Sequence, residues 1–451
     1  MVTGTNTNFP AYSSQLKQLL SMSQLQLNNL AFASDAGKIF GFFSGIAAFY
    51  LPLWLVLLIG SALGLIGYGV QSLFLTTSIC WINTVCYVVA IRNFPFHRQL
   101  ALGLSTSYQG LSAKIYTVLV DALFFSFPDK RAKAYLILNS ILPFLVSVLA
   151  APVVRDVVDI GNSKNMKSGF TVLFIITIVT GIFAVITSLK SMASGLPPLG
   201  IAIGVVGFLL APLVIPLAVK IREVLAAKWM LNREAKVRTY TAEENDDAER
   251  MESGVTEGDD TREAIEVGVK EEIGVKLLLT RLNFWLYFFV YLCGATLGLV
   301  YLNNLGQIAE SRGYSGTSSL VSLSSSFGFF GRLIPSLVDY FFPRRKHLIS
   351  RPTSIAALMT PMAGASLHQH CYYWYLFSVS TTTGLFGTKN FSINHNLVVA
   401  NIPIGSFIFG YLSALLYHKE GNEDGKCMGM QCYRTTFIIW VHFVFLALPC
   451  L

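Results

Sequence analysis

Three side-chain amides stand close together in VYLNNLGQIAES, at the end of an apolar run: Asn303, Asn304 and Gln307. Spacings of three and four put all of them on one side of a helical turn. A second polar stripe, Asn8, Tyr12 and Gln15, opens the chain in TNTNFPAYSSQL, with Pro10 between its members expected to interrupt the backbone ladder and free a carbonyl. In hydrocarbon an unsatisfied polar group costs roughly several kcal/mol. Each stripe therefore either bonds to a neighbouring helix or lines a cavity that holds a solute. Lys114 lies within an apolar stretch, with Asp121 seven residues later on the same face. It could pair with that acid or another, hold an anionic solute or relay protons; a structural ion pair or snorkelling accounts for it equally well. Asn83, Tyr108 and Gln109 are further candidates.

The elements that must position these groups are membrane helices. The chain of 451 residues is 53% hydrophobic and only 13% charged, with a mean hydropathy of +0.56. Soluble domains carry about a quarter charged residues. Apolar windows near the roughly 20 residues that span a bilayer recur about a dozen times, which predicts an all-α membrane protein with the lipid bilayer as its partner. Between Ile221 and Arg281 fall 15 of the 25 acidic residues and 10 basic ones. Such a segment cannot bury a core, so it reads as a solvated linker between membrane parts at 1–220 and 282–451. Pieces such as 76–91, 353–367 and 372–386 are short for a crossing.

The net charge of +8 comes from basic residues scattered at the ends of apolar runs, a topology signal that argues against nucleic acid as partner. Arg222, Lys228, Arg233, Lys236 and Arg238 place the start of the linker in the cytosol. Arg344, Arg345, Lys346 and Arg351 fall on the same side by parity, whereas Lys130, Arg131 and Lys133 fall on the other. No nucleophile elbow, phosphate loop, acid pair or metal-ligand spacing of histidines appears, so neither an enzyme nor a metal or cofactor is expected. Cys427 and Cys432, on the non-cytosolic side by parity, are placed for a disulfide.

The two stripes belong to a repeat. Amides, an aromatic residue, a Gln followed by an aliphatic, a polar turn and a Ser-rich helix start occur in the same order from Thr5 and from Leu299. Gln15 precedes the Gly37-Lys38 pair as Gln307 precedes Gly331-Arg332. Parallel duplication of this kind is a transporter signature, with a site at the repeat interface.

GRLIPSLVDYFFPRRK, from Gly331 to Lys346, resembles the cytosolic loop signature of major facilitator transporters. With CGATLGLVYLNNLGQIAES, GTNTNFPAYSSQL, SICWINTVCYVVAIRNFP and LFGTKNFSINHNLVVANIPIGS, the whole chain resembles the plant nodulin-like branch of that superfamily, which includes the nuclear fusion defective proteins. The resemblance implies a two-half helical bundle of about 12 segments that moves a small organic solute by alternating access, with protons a candidate coupling ion. It also implies the alternative of a transporter-like regulator or scaffold in nuclear fusion during plant reproduction. In that frame Arg332 is either a solute-facing cation or, with Gly331, Asp339, Arg344 and Arg345, part of a loop that latches conformational states. Two departures stand out. The family's full first helix before GTN is expected to be mostly absent here, and Gly384 occupies the place of a Glu before LFG.

Overall fold

The computed structural model describes residues 3–70, 74–95, 97–124, 130–155, 163–189, 195–215, 221, 224–225, 229, 274–314, 316–341, 386–387, 390–422 and 427–447. These residues are helical, without strand. That is what a bilayer selects: with no water to bond the backbone, a helix satisfies every amide within one segment.

The first part holds α1 (Pro10–Leu19), α2 (Gln24–Ala36), α3 (Gly41–Tyr50), α4 (Leu53–Val70), α5 (Phe74–Asn93), α6 (Arg98–Gly110), α7 (Ser112–Leu123), α8 (Arg131–Ala150), α9 (Ser163–Ile186) and α10 (Pro198–Leu210). The second holds α11 (Val275–Thr280), α12 (Leu282–Tyr291), α13 (Leu297–Ser311), α14 (Thr317–Phe341), α15 (Phe391–Val399), α16 (Asn401–Lys419) and α17 (Gln431–Ala447). Among the described residues, five stretches are long and apolar enough to cross a membrane: Arg131–Val153, Gly169–Ile186, Leu282–Ser311, Thr317–Val338 and Phe391–Lys419. Leu53–Gly67 and Pro198–Leu213 are shorter apolar helices. Residues such as Leu145, Leu149, Ile175 and Ile203 remain exposed along them, forming the surface that meets lipid. The expected segments at 353–367 and 372–385 lie outside the described residues, as does most of the charged stretch.

Local chemistry sets several boundaries. Ser23 caps α2 with its hydroxyl on the Gln26 amide at 3.2 Å, while the Gln26 side chain accepts from the Ser23 amide at 2.8 Å, a reciprocal capping box. Pro10 corrects an expectation: it occupies the first turn of α1, where its missing N–H would have had no helical partner, so it breaks no ladder. A π-turn at Leu292–Thr296 joins α12 to α13, and Asn401 donates to the Phe288 carbonyl beside it at 3.1 Å.

Helices α6 and α7 would be one helix but for Ser325 on α14. Its hydroxyl donates to the Gly110 carbonyl at 2.7 Å and accepts from the Lys114 amide at 3.1 Å. Those two groups would otherwise bond each other across one turn, and a side chain inserted in the ladder breaks or bends a helix.

Among the described residues two extensive contact seams join the parts, beside a smaller contact of α1 with α13 and α14. Along one, α2 and α3 pack against α16 and α15; along the other, α6 and α7 pack against α14. Both are close enough to require glycine. A Cβ on Gly45 would lie 2.9 Å from the Ile393 backbone nitrogen, and one on Gly110 would lie 2.9 Å from the Gly328 carbonyl oxygen. Helices α9 and α10 sit outside the second seam, α9 on α14 and α10 on α7. The glycine face of α4 packs on α5, with Gly60 against Trp81 and Gly64 against Ser78. At the far end of α16, Cys427 and Cys432 form the expected disulfide.

Candidate functional site

The two seams flank a cavity of about 140 Å³ lined from both parts of the chain. Helix α5 contributes Asn83 and Tyr87, α6 contributes Thr106 and Gln109, α14 contributes Arg332, Pro335 and Ser336, and α15 contributes His395 and Asn396. Lys38 enters from the short 3₁₀ turn between α2 and α3. Most of these side chains are held in place. The Tyr87 hydroxyl donates to Gln109 at 2.9 Å, and the Asn396 amide donates to Thr84 at 3.0 Å and back to the Ser392 carbonyl at 2.7 Å. Arg332 donates across the seam to the Thr106 carbonyl at 3.2 Å. Three residues after it, Pro335 lacks the N–H that would bond the Gly331 carbonyl, so the helix is weakened where it borders the cavity.

Behind Lys38 lies a buried charged node. Lys38 and Asp35 form an ion pair at 2.5 Å, with 5% and 1% of their surfaces exposed. The second carboxylate oxygen of Asp35 accepts from Ser406 on α16 at 2.8 Å and from Asn303 on α13 at 3.2 Å. Asp35 thus ties α2 of the first part to two helices of the second. Burying a carboxylate is tolerable only with this degree of pairing.

Comparison with known proteins bears on what such an arrangement is. The family model described as Nodulin-like matches residues 1–79 and 73–221, and the model described as NFD4, C-terminal domain, matches residues 266–371 and 375–450. The Arabidopsis thaliana protein NUCLEAR FUSION DEFECTIVE 4 is 36% identical over 497 aligned positions, which cover 97% of this chain and 83% of the relative. The chain belongs to the nodulin-like family. Together with its apolar helices, this makes it an integral membrane protein of the nodulin-like type.

In this nodulin-like protein the predicted stripes meet other helices before they meet a cavity. Asn8 exchanges both amide bonds with Asn139 of α8, at 2.6 and 3.1 Å. Tyr12 stacks on Tyr135 with ring centroids 5.2 Å apart, and Gln15 accepts from the Ala132 amide at 2.8 Å, satisfying an orphan donor at the start of α8. All three face α8 within the first part, so they do not confront the second stripe. The opposite side of α1 does: Gln307 donates to Ser13 at 3.1 Å and to Ser14 at 3.4 Å. Asn304 bonds its own Val300 carbonyl at 2.9 Å and accepts from Gln24 at 3.5 Å. Asn303 is the member of its stripe that reaches the charged node.

Lys114 is 2% exposed and lies at the α7–α14 contact, not on the cavity wall. Asp121 is ion-paired to Arg131, which reaches it from the start of the next helix, so direct pairing with Asp121, one of the alternatives for Lys114, is not what the structure places there. Tyr108 bonds Thr177 of α9. Gly331 and Arg332 lie in α14, Arg332 on the cavity, while the side chain of Asp339 and the residues Arg344 and Arg345 lie outside the described ones. Asp35 and Asn396 are the additions that sequence reasoning missed. Lys38 was visible there only as the repeat counterpart of Arg332, and the cavity is where those counterparts converge.

The Asn8–Asn139 pair makes a test of its structural role. Asn8→Leu is expected to cost about 1–3 kcal/mol by removing both amide bonds of the buried Asn139, which keeps only the Tyr12 hydroxyl, whereas Asn8→Leu with Asn139→Leu, which also takes that partner from Tyr12, recovers part of the loss. Melting curves of the purified single and double variants measure the coupling, and additive losses would remove the pair from the account.

Proposed function

We propose that this protein is a carrier that moves a small organic solute across its membrane by alternating access, in the two-half, roughly 12-segment layout of the major facilitator type. The membrane halves are 1–220 and 282–451, and the charged stretch 221–281 is a cytosolic linker. The observation that supports this reading best is the polar cavity walled by residues of both parts, at the crossing of two glycine-bearing seams. A wall contributed by both parts can face either side as they rock. Ladder breaks at Ser325 and Pro335 sit along the seam that would have to flex.

Full-length chain reconstituted in liposomes tests it, with a defined mixture of small organic acids, amines, amino acids and polyols outside and mass spectrometry of the contents. One chemical class should enter only when protein is present, and Tyr87→Ala with Gln109→Ala should suppress that entry in protein that still melts cooperatively. Protein-dependent entry of no class would sink the proposal.

A second reading draws on the name of the relative, which concerns nuclear fusion. There the chain would act as a membrane scaffold through its charged stretch. Deleting residues 241–270 would then abolish a nuclear-fusion phenotype while any solute flux persists.

A further inference from the structure

A second, smaller cavity of about 30 Å³ adjoins the first. Helix α13 contributes Leu302 to it, α7 contributes Ala113, and α14 contributes Val321, Ser324 and Gly328. Three of the described residues line both cavities: Thr7 from the turn before α1, Gln109 near the end of α6, and Arg332 on α14. They stand between the two.

The cavities follow one axis. Helices α6 and α14 run antiparallel, since contacts across their seam pair rising numbers on one with falling numbers on the other: Ser336 donates to the Gln99 carbonyl, Arg332 to the Thr106 carbonyl and Ser325 to the Gly110 carbonyl. The lining keeps the same order. Along α6 and α7 the first cavity takes Gln99, Gly103 and Thr106, and the second takes Gly110 and Ala113. Along α14 the first takes Ser336 and the second takes Gly328, Ser324 and Val321. Spacings of three and four, counted through Gln109 and Arg332, make each set a single stripe on one helical face. At 1.5 Å per residue the stripe on α14 extends about 22 Å, against about 30 Å for the hydrocarbon core of a bilayer. It is interrupted at the level of Arg332.

The side chains at that level are held from their own elements. Gly4 docks on the start of α7, where its amide donates to the Ser112 hydroxyl at 2.9 Å and an added Cβ would lie 2.5 Å from the Ser112 Cβ. The Thr7 hydroxyl donates back to the Gly4 carbonyl at 2.6 Å, and Gln109 accepts from the Tyr87 hydroxyl at 2.9 Å. A molecule of benzene's size needs about 150 Å³, whereas about 30 Å³ is one water's share of the liquid. The second cavity therefore admits an organic solute only when the elements around it part.

Building on the carrier reading above, we infer that the two cavities are one solute route along the facing stripes of α6–α7 and α14, and that Thr7, Gln109 and Arg332 form the constriction that sorts solutes by size. Each comes from a different element, so a rocking motion that shifts α14 against the first part changes the width of the passage.

The constriction is tested with iodoacetamide, a small neutral thiol reagent, on full-length protein in detergent whose cysteines outside the Cys427–Cys432 disulfide are replaced by alanine. Single cysteines go into the first cavity as Asn83→Cys, into the second as Ser324→Cys, and off the route as Ser326→Cys, where the native hydroxyl is buried against Ser188. Labelling should be fast at Asn83→Cys and slow at the other two. Thr7→Ala and Gln109→Asn, which trim the constriction from two elements, should each raise the rate at Ser324→Cys about fivefold or more, the factor that one neutral hydrogen bond corresponds to, and leave the other sites unchanged. Thr7→Met should lower it. A rate at Ser324→Cys that equals the rate at Asn83→Cys before the constriction is altered, that ignores all three variants, or that rises only together with the rate at Ser326→Cys overturns the inference. Labelling needs no transport, which separates the inference from the carrier reading. The expected pattern in protein that moves no solute in liposomes keeps the constriction and sinks the carrier, while protein-dependent flux with an indifferent Ser324→Cys does the reverse.

Discussion

Asp35→Ala is expected to destabilise the protein by about 3–5 kcal/mol, the usual cost of removing one partner from a buried ion pair. The loss has two sources. Lys38, 5% exposed, would keep its charge without the carboxylate 2.5 Å away. Ser406 and Asn303 would lose the acceptor that they share, opening the contact of α2 with α16 and α13. Asp35→Asn keeps an acceptor for those donors but not the charge, and should fall between the parent and the alanine variant. Asp35→Asn with Lys38→Gln removes both charges and should recover a large part of the stability, since replacing both members of a buried pair is often close to neutral. Melting temperatures of the four purified proteins in one detergent decide the matter. If the alanine variant melts with the parent, the node does not hold the two parts together.

That node shows what could be read from the chain and what could not. Helices were legible because length and hydropathy alone require them in a bilayer: Leu282–Ser311 and Thr317–Val338 match apolar runs visible in the sequence. Helix ends were less so. Helix α15 begins at Phe391, and its Asn394, His395 and Asn396 are polar yet turned inward and buried, which a hydropathy window scores as loop. The residue types at the candidate site were also legible, since amides and charges in apolar runs stand out. Their partners were not. Asn8 faces Asn139 and Gln307 faces Ser13, and which face of α1 turns toward α8 or α13 depends on contacts more than a hundred residues apart in sequence. The repeat carried more information than composition did. Its alignment of Lys38 with Arg332 paired two residues that line one cavity, although Lys38 taken singly did not suggest it.

Gly110→Val is expected to lower stability by about 3 kcal/mol or more, at or beyond the upper end for overpacking a core, and to abolish any solute flux. At this position the new side chain meets backbone and has no flexible neighbour to displace. Its Cβ would stand 2.9 Å from both the Gly328 carbonyl oxygen and the Phe329 nitrogen. Relief requires α6 and α14 to separate, which also pulls Ser325 from the Gly110 carbonyl and the Lys114 amide, and loosens Thr117 from Ser322, bonded at 2.6 Å. Ser325→Ala is the informative companion. It removes the inserted hydroxyl without adding bulk, and the freed Gly110 and Lys114 groups can bond each other across the α6–α7 break, so its cost should be about 1 kcal/mol or less. The two variants therefore separate close backbone approach from hydrogen bonding as the property the seam needs. If Ser325→Ala loses as much stability as Gly110→Val, the inserted hydroxyl holds the seam and the glycine contact is secondary; if Gly110→Val melts with the parent, the two helices have room to part, and the close approach is not a requirement of the fold.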